Sequence, residues 1–396
     1  MPEKIKKRHL MDYSIFIPYL IVCVIGLIMV YSSSSYFLLS KGLNPAAYVT
    51  SQTIFWVLSL IVISIMYKMK TDVFKNEGLV RLAIAVTAVL LVVAYLFFPA
   101  VNGAKGWIQL GAFSIQPAEL LKIVLIWYLA LILSKRQDSI TTDFMQTVKR
   151  PMLLMLILIS GVAIMPDFGN AAVLTLLVMV MLLASGIDFT WSLKVGALGI
   201  TLSFLAIQAI TLFGKVLLPE NRQYIYKRFA VYQNPFIDEY GDGHHMVNGY
   251  YAMFNGGLFG RGLGNSIEKK GFLSFAHTDY IFAIVMEELG LIVAMLILGL
   301  LIFMITRIIL VGIRSRDAFN SLICYGVGSM LLIQIFINLG GITGIIPLTG
   351  ITFPFLSQGG SSLLVLSVGI GLVLNVSANE KRKHLLSYHP RQTDKK

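Results

Sequence analysis

The sequence predicts an all-α, polytopic membrane protein with ten transmembrane helices and a long extracellular loop between spans 7 and 8. Of its 396 residues, 57% are apolar and 13% are charged, whereas soluble domains have about 45–50% apolar and about 25% charged residues. The mean hydropathy is +0.78. At about 20 residues per span, ten spans would use about half of the chain. This composition excludes an ordinary soluble enzyme and a disordered protein.

Ten apolar runs define the predicted spans. Each run is apolar on all faces and does not alternate, which favours helices over membrane strands. The predicted spans are 14–34, 53–68, 80–98, 118–134, 152–166, 171–187, 190–213, 280–306, 319–345 and 359–378. The first run is too long for the apolar part of a signal peptide, and no small-x-small cleavage site follows it. We therefore expect it to be retained as the first helix.

The distribution of basic residues indicates the orientation. Five segments predicted to lie inside hold three to six Lys or Arg each, whereas no short outside loop holds more than one, Lys41 or Lys105. Such an excess in short loops marks the cytoplasmic side. We expect one membrane domain over 1–396 with a cytoplasmic N-terminus, 1–13, and a cytoplasmic tail, 379–396. The net charge of +12 is interpreted as a topology signal, and no nucleic-acid partner is expected.

The predicted extracellular loop, 214–279, holds the main candidates for binding an anion. Arg222, Lys227 and Arg228 form a cationic cluster near its start. Such a cluster suits an anionic lipid headgroup, particularly a pyrophosphate, which Arg contacts bidentately and Lys as a point charge. The stretch 256–265 is rich in glycine and could bring backbone amides close to phosphate. It does not match the GxGxxG pattern of a nucleotide-binding fold.

Asp279 directly precedes span 8 and has two interpretations. It is either an N-cap that satisfies the first amides of the helix, or a general base at the mouth of a membrane cavity. Glu287 and Glu288 lie deeper along the same span. A buried carboxylate in a membrane span needs a partner. We expect at least one of the two glutamates to be paired, with Lys122 as the candidate.

Spans 3 and 4 carry a second set of polar residues near their outer ends. Glu119 and Lys122 are three residues apart, so they share a helix face and can form an ion pair. The pair is interpreted either as structural or as the charged lining of a cavity that opens outward. Trp107, close to Lys105, is either an aromatic anchor at the membrane interface or a ring that stacks on a sugar or lipid headgroup.

Metal-ligand and nucleophile patterns are weak in this sequence. The histidines outside the membrane show no H-x-x-x-H spacing and no cysteine partner, so a structural zinc site is not expected. No G-x-S-x-G motif occurs, and nucleophilic catalysis by serine is therefore not supported. The serine-rich stretch 357–362 is interpreted as a helix break and restart at the outer mouth of span 10.

Four stretches in order resemble the SEDS family (shape, elongation, division and sporulation proteins) over about residues 10–378. They are 102–122 with NGAKGW and QPAExxK, 166–169 with PDxG, 262–290 with GLGNS, HTDYIFA and EExG, and 338–362 with NxG, PxTGIxxPF and GGSS. The stretch 7–20 resembles the division branch of Gram-positive cocci more than the elongation branch.

The resemblance implies a peptidoglycan glycosyltransferase that polymerises lipid II at the outer face of the bacterial cytoplasmic membrane, at the division septum. It would transfer the growing glycan from undecaprenyl pyrophosphate to the GlcNAc 4-hydroxyl of lipid II. The implied partners are a class B penicillin-binding protein, which supplies transpeptidation, and other membrane proteins of the division or elongation machinery. A divalent cation, Mg²⁺ or Mn²⁺, is expected to assist, and no organic cofactor is expected.

On this basis Asp279 is the predicted catalytic base. The predicted substrate-binding residues are Lys105, Trp107, Glu119, Lys122, Arg222, Lys227, Arg228, His277, Thr278 and Ser361. Two alternatives remain, a transporter that moves lipid II across the bilayer and a scaffold without activity. The concentration of polar groups on the outer side and the lack of obvious paired half-repeats favour the enzyme.

Overall fold

The computed structural model describes residues 7–100, 105–111, 113–217 and 223–388, most of which are helical. Within these ranges the α-helices, numbered in chain order, are α1 Tyr13–Ser40, α2 Ala47–Lys68, α3 Thr71–Phe74, α4 Glu77–Phe97, α5 Pro117–Lys135, α6 Gln137–Thr142, α7 Phe144–Ile164, α8 Phe168–Leu183, α9 Phe189–Leu217, α10 Gln223–Gln233, α11 His244–Gly256, α12 Ile281–Arg314, α13 Ala318–Ile342 and α14 Gly360–Tyr388. Strands β1, Ile108–Leu110, and β2, Phe113–Ile115, form an antiparallel hairpin before α5.

Eight helices in the described residues are long and apolar enough to cross a membrane, namely α1, α2, α4, α5, α7, α12, α13 and α14. The two other predicted spans correspond to α8, a shorter apolar helix of 16 residues, and to α9, of 29 residues. Every apolar run of the sequence is therefore helical, and the predicted all-α membrane fold is confirmed. The number of ten crossings stays a prediction.

Several helices extend beyond the apolar runs that predicted them. Helix α9 continues to Leu217 and α14 to Tyr388, past the predicted ends at 213 and 378. The predicted extracellular loop also contains two helices, α10 and α11. Hydropathy detects the part of a helix that lies in lipid, whereas a polar continuation or a half-polar surface helix has no long apolar run to mark it.

Ion pairs join several elements at one end of the bundle. The Asp12 carboxylate, at the start of α1, lies 3.0 Å from the Lys381 ammonium of α14 and 3.8 Å from the Arg307 guanidinium of α12. Two further pairs join neighbouring elements at this end, Lys75–Asp317 and Lys135–Glu77. The segments predicted to lie inside therefore meet at the same end. That this end faces the cytoplasm stays a prediction.

Helix α12 is broken near its N-terminal end at Gly290, where φ is 83° and ψ is 167°. Backbone hydrogen bonds from the segment after α11 fill the break, from Arg261 N to Glu287 O, Gly262 N to Glu288 O and Leu291 N to Gly257 O. A Cβ at position 290 would lie 2.4 Å from the Gly260 nitrogen. Only glycine tolerates both this φ and this approach. Residues 257–262 are consequently fixed against α12.

Candidate functional site

Asp279 lies at the entry to α12, at the opposite end of the bundle from the ion pairs described above. This is the end predicted to face outward, and it is called the outer end below. The helix begins at Ile281, with Tyr280 at the N-cap position and no side chain capping the first amides. Of the two interpretations of Asp279, the N-cap is therefore wrong. The carboxyl group is half-buried and is not needed to start the helix.

Asn338, on α13, fixes the backbone at Asp279. Its side-chain amide donates one hydrogen bond to the main-chain oxygen of Asp279 and one to that of Ile351, each at 2.8 Å. Since Asn338 is 2% exposed, both bonds are shielded from water. The entry to α12 and the segment after α13 are thus held together by one buried side chain.

The residues before Asp279 are joined to the segment that precedes α14. The Ser357 hydroxyl donates to the Thr278 oxygen at 2.7 Å, and the Gln358 amide donates to the His277 oxygen at 2.9 Å. Gln52 of α2 donates to the Ser357 oxygen at 3.1 Å. Residues 277–279 are therefore positioned by α2, α13 and the segment before α14 together.

We expect Asn338→Leu to loosen the entry to α12. The substitution removes two buried hydrogen bonds, each worth about 1 kcal/mol net, so local opening should become about tenfold or more easier. Hydrogen–deuterium exchange of amides 277–281 should accelerate accordingly. Asn375→Leu is the control, because the Asn375 amide likewise donates to main-chain oxygens, those of Met66, Tyr67 and Met69, at the other end of the bundle. Unchanged exchange at 277–281 in Asn338→Leu would contradict this role.

Arg228 lies close enough to Asp279 to affect its charge. The guanidinium of Arg228 donates to the Leu348 oxygen at 3.2 Å, which holds it beside the segment after α13. Burial raises the pKa of Asp279 from 3.8 to about 6, and the Arg228 charge and a hydrogen bond from Thr278 oppose this rise. A carboxyl group with a pKa near 6 is mostly ionised at neutral pH and binds a proton more readily than an ordinary aspartate does.

Residues 348–351, named here the outer strap, separate Asp279 from the start of α8. A Cβ on Gly350, where φ is 78°, would lie 3.6 Å from Asp279 Oδ2. On the other side of the strap, a Cβ on Gly169 would lie 2.7 Å from the Thr349 oxygen. Glycine at position 169 therefore permits α8 to pack against the strap.

The second polar cluster lies around the start of α5 and α8. Lys122 Nζ is 2.6 Å from Glu119 Oε1, and the two residues are 0% and 4% exposed. The predicted ion pair is confirmed, and its burial favours the structural interpretation over a lining open to water. Asp167 caps α8 through Asn170 and accepts a hydrogen bond from Gln116 at 2.6 Å. The charges of Glu119 and Lys122 are near enough to affect the pKa of Asp167, which burial raises.

The prediction that Lys122 pairs with Glu287 or Glu288 on α12 is wrong. Lys122 pairs with Glu119, whereas Glu288 is 2.6 Å from Lys269 Nζ. The Ser32 hydroxyl donates one hydrogen bond that is shared between the two Glu288 oxygens, which lie 2.8 and 2.7 Å from Ser32 Oγ. Glu287 accepts hydrogen bonds from the Ser266 hydroxyl and the Ile267 amide. The break at Gly290 brings residues 257–269 back onto the helix, and this return supplies the partners locally.

The remaining predicted site residues are spread over the outer end. Lys105 is exposed, with its ammonium 5.6 Å from the centre of the Tyr95 ring, and Trp107 is half-buried. His277 and Ser361 are buried and Thr278 is half-buried. Lys227 belongs to α10, and Arg222 lies outside the described residues. The structure thus brings His277, Thr278, Asp279 and Arg228 together, while Glu119 and Lys122 form a separate cluster beyond the outer strap.

Sequence reasoning missed the residues that position Asp279. Asn338 and Ser357 were part of recognised stretches, but nothing in the pattern indicated their contacts. A buried contact of Gln52 could have been predicted from the sequence, because a polar amide within an apolar helix usually has a partner. It is 3% exposed and bonds to the backbone at Ser357 and Gly359.

Within the described ranges, no group of three or more His, Cys, Asp or Glu side chains is placed to hold a metal ion. A protein-only metal centre therefore has no support there. Magnesium is often held by one or two carboxylates together with substrate phosphates.

The family model described as "Cell cycle protein", for FtsW, RodA and SpoVE, matches residues 12–382. The protein named "Probable peptidoglycan glycosyltransferase FtsW" from Lactococcus lactis is 44% identical over 97% of both chains. The protein of the same name from Enterococcus hirae is 36% identical over 95% of this chain and 94% of its own. "Stage V sporulation protein E" of Bacillus subtilis is 35% identical over 94% and 98%.

Solved structures share the fold. A chain of a peptidoglycan synthase complex has a TM-score of 0.73 at 24% identity, covering 93% of this chain and 98% of its own. The rod shape determining protein RodA of Thermus thermophilus has a TM-score of 0.65 at 23% identity, covering 93% and 97%. These similarities confirm the helical membrane architecture described above.

Proposed function

The chain belongs to the FtsW/RodA/SpoVE family of cell cycle proteins, the SEDS family, and from this premise we propose that it is a peptidoglycan glycosyltransferase that polymerises lipid II. It is a multi-pass membrane protein with relatives named as FtsW glycosyltransferases. The observation that supports the reaction most directly is Asp279, a half-buried carboxyl group that does not cap α12 and lies near a cation.

Asp279 serves as the general base in this proposal. Its carboxylate takes the proton of the 4-hydroxyl on the GlcNAc of the acceptor lipid II. The oxygen then forms a bond to the anomeric carbon of the donor strand, and the bond from that carbon to undecaprenyl pyrophosphate breaks. The electron pair leaves on the pyrophosphate oxygen, and the proton stays on Asp279. A positioned base of matched pKa contributes about 10²–10⁴-fold to such a step.

Arg228 is the described cation best placed to stabilise the leaving group. Its guanidinium is held by the Leu348 oxygen near Asp279, and a fixed cation lowers the barrier where negative charge develops. Lys105, Arg222 and Lys227 are proposed to add to this positive field. A divalent cation, Mg²⁺ or Mn²⁺, is proposed to bind with the substrate pyrophosphate and add further positive charge there.

The other predicted contacts keep narrower roles in this proposal. Trp107, Thr278 and Ser361 are proposed to contact the headgroup at the outer end. Glu119 and Lys122 are buried as a pair, so they are proposed to support the wall of the lipid-binding cavity.

We expect glycan synthesis to fall in acid with an inflection near pH 6. Burial raises the pKa of Asp279 from 3.8 to about 6, and only the ionised form accepts a proton. Activity should drop about tenfold per pH unit below the inflection. The same pKa shift affects folding stability in the opposite direction. The folded state binds the Asp279 proton more tightly than the unfolded state does, so the contribution of Asp279 to the free energy of unfolding falls as pH rises from about 4 to about 6. Initial rates in nanodiscs between pH 4.5 and 8 measure the inflection, and an acid limb centred near pH 4 would contradict it.

The function is tested with the purified full chain and labelled lipid II in lipid vesicles, with and without a class B penicillin-binding protein. Glycan chains of several units support the proposal. Exchange of lipid II between leaflets without polymer would identify a transporter, and neither product with the partner present would identify a scaffold.

We propose a class B penicillin-binding protein as partner and the division septum as the site of action, with both termini in the cytoplasm. The similarity to FtsW proteins supports the septum. Imaging of a fluorescent fusion in growing cells, together with protease accessibility of tags at each terminus, tests both statements. A fusion that follows the lateral wall, or a tag that is cleaved from outside, would overturn the corresponding one.

A further inference from the structure

An exposed apolar segment, residues 254–263, begins in the last turn of α11 and leads the chain back to α12. Phe254 and Phe259 are 83% and 82% exposed, and Leu258 and Leu263 are more than half exposed. Large apolar side chains grouped in this way mark contact with a membrane or with another protein. We name residues 254–263 the apolar loop.

Two contacts between α1 and α12 locate the apolar loop relative to the membrane. Asp12 pairs with Arg307 at one end of these helices, and the Ser32 hydroxyl donates to Glu288 at the other end. On each helix the two contacts are about 20 residues apart, or about 30 Å, which matches the thickness of a hydrocarbon core. Charges are costly inside the core. The Asp12 pair therefore marks one boundary of the core, and Glu288 marks the other.

The apolar loop dips below the second boundary at Leu258. The Leu258 oxygen accepts a hydrogen bond from the Ile292 amide at 3.2 Å. Ile292 follows Glu288 by four residues, which corresponds to about 6 Å along the helix. Leu258 and its neighbour Phe259 therefore lie about 6 Å inside the hydrocarbon core, at the level of the acyl chains.

The backbone of the apolar loop is paired in a way that permits contact with lipid. A chain segment can enter a bilayer only where its backbone polar groups have partners. The Arg261 amide donates to the Glu287 oxygen, and the Gly262 amide donates to the Glu288 oxygen, each at 2.9 Å. The break at Gly290 frees these two oxygens, since a continuous helix would use them for its own amides. The break therefore supplies the partners that the loop needs in the bilayer.

We propose that the apolar loop is a membrane anchor, with Phe254, Leu258 and Phe259 inserted among the acyl chains of the leaflet at the outer end. Arg261 is exposed and is the only charged residue of the loop. Its backbone lies at the core boundary, so its guanidinium is within reach of the lipid phosphates. Ile292 is exposed as well, so the loop continues the lipid-facing surface of α12. This membrane contact goes beyond the proposed reaction and does not depend on it.

The anchor fixes the start of α12 relative to the bilayer. Beyond the loop, the Ser266 hydroxyl contacts Glu287, and the Lys269 ammonium contacts Glu288. The loop, the break and the first turns of α12 are therefore one connected unit, which the acyl chains hold at a constant depth. Asp279 lies two residues before α12, so the anchor also sets the height of the predicted base above the membrane.

Site-directed spin labelling tests the depth of the loop in the full chain in nanodiscs. Cys23 and Cys324 are buried, so a nitroxide reagent reacts with an introduced exposed cysteine, and the unsubstituted chain measures background labelling. Phe259→Cys places the label on the loop. Tyr240→Cys is the matched control, because Tyr240 is an equally exposed aromatic residue between α10 and α11 that directly follows Glu239. Power saturation compares collisions of the label with oxygen, which concentrates among acyl chains, and with a water-soluble nickel chelate.

We expect the ratio of oxygen collisions to nickel collisions to be about tenfold or more higher at position 259 than at position 240, because water is excluded from the acyl chains. A label at 259 that meets the nickel chelate as often as the label at 240 does would place the loop in water and overturn the anchor. A label at 259 shielded from both reagents would show that a protein surface covers the loop, which overturns the assignment to lipid.

A second pair of variants tests the anchor without a label. Phe259→Asp places a carboxylate among the acyl chains, where a charge is costly, whereas Phe259→Leu keeps an apolar side chain. The amides of Arg261 and Gly262 report separation of the loop from α12, because both bond to that helix. We expect their hydrogen–deuterium exchange in nanodiscs to accelerate about tenfold in Phe259→Asp and to stay unchanged in Phe259→Leu. Equal exchange rates in the two variants would contradict the membrane position of the loop.

Discussion

Asp279→Asn should reduce glycan synthesis on lipid II by about 10²–10⁴-fold, the contribution of a positioned general base. Asparagine has nearly the same shape, but its amide does not accept the proton of the attacking hydroxyl. The main-chain bond from Asn338 to residue 279 is unaffected, so the entry to α12 should keep its conformation. Initial rates on labelled lipid II, with the purified chain and the proposed transpeptidase partner, measure the loss.

Two controls make the Asp279 result specific. Asp242→Asn removes a carboxylate from an exposed position before α11 and should retain wild-type activity. The thermal midpoint of Asp279→Asn should equal or exceed that of the wild type, because burial of the native carboxylate disfavours its charged form. Wild-type polymerisation by Asp279→Asn would refute the assigned base. If Asp279→Asn lost both activity and folding, Asp279→Glu would separate the two causes. Glutamate retains a carboxylate base, so this variant should recover part of the rate.

Lys122→Met is expected to cause the largest loss of stability. The Lys122 ammonium and the Glu119 carboxylate are 2.6 Å apart and almost fully buried. Removing one member leaves the other as an unpaired charge in the bundle, which costs about 3–5 kcal/mol. The thermal midpoint of the chain in detergent, measured from the temperature at which aggregation begins, should fall by many degrees.

The double variant Glu119→Gln, Lys122→Met tests the cause of that loss. With both charges gone, most of the lost stability should return, because replacing a whole buried pair is often neutral. Lys135→Met is the matched control, since its pair with Glu77 is half-exposed and exposed pairs contribute only about 0–1 kcal/mol. A double variant as unstable as Lys122→Met alone would show that packing of the lysine stem, and not its charge, stabilises the cluster.

The sequence by itself predicted the membrane-spanning architecture and the position of Asp279. Long apolar runs identified every candidate spanning helix of the described chain. This is possible because each residue contributes its own free energy of transfer into lipid, and these contributions add along a run. The predicted start of span 8 at 280 also placed Asp279 at the entry to that span. The structure places Asp279 directly before α12, and the outward orientation of this end stays a prediction.

The pairing of polar groups required the tertiary structure. Lys122 was expected to pair with a glutamate of span 8, yet Lys269 does so, because the break at Gly290 returns residues 257–269 to that helix. Ser32 bonds to Glu288 from 256 residues away, and Asn338 fixes Asp279 from another helix. Burial in lipid depends on local composition, whereas a hydrogen bond depends on the distance between two atoms. That distance is set only when the helices pack against each other.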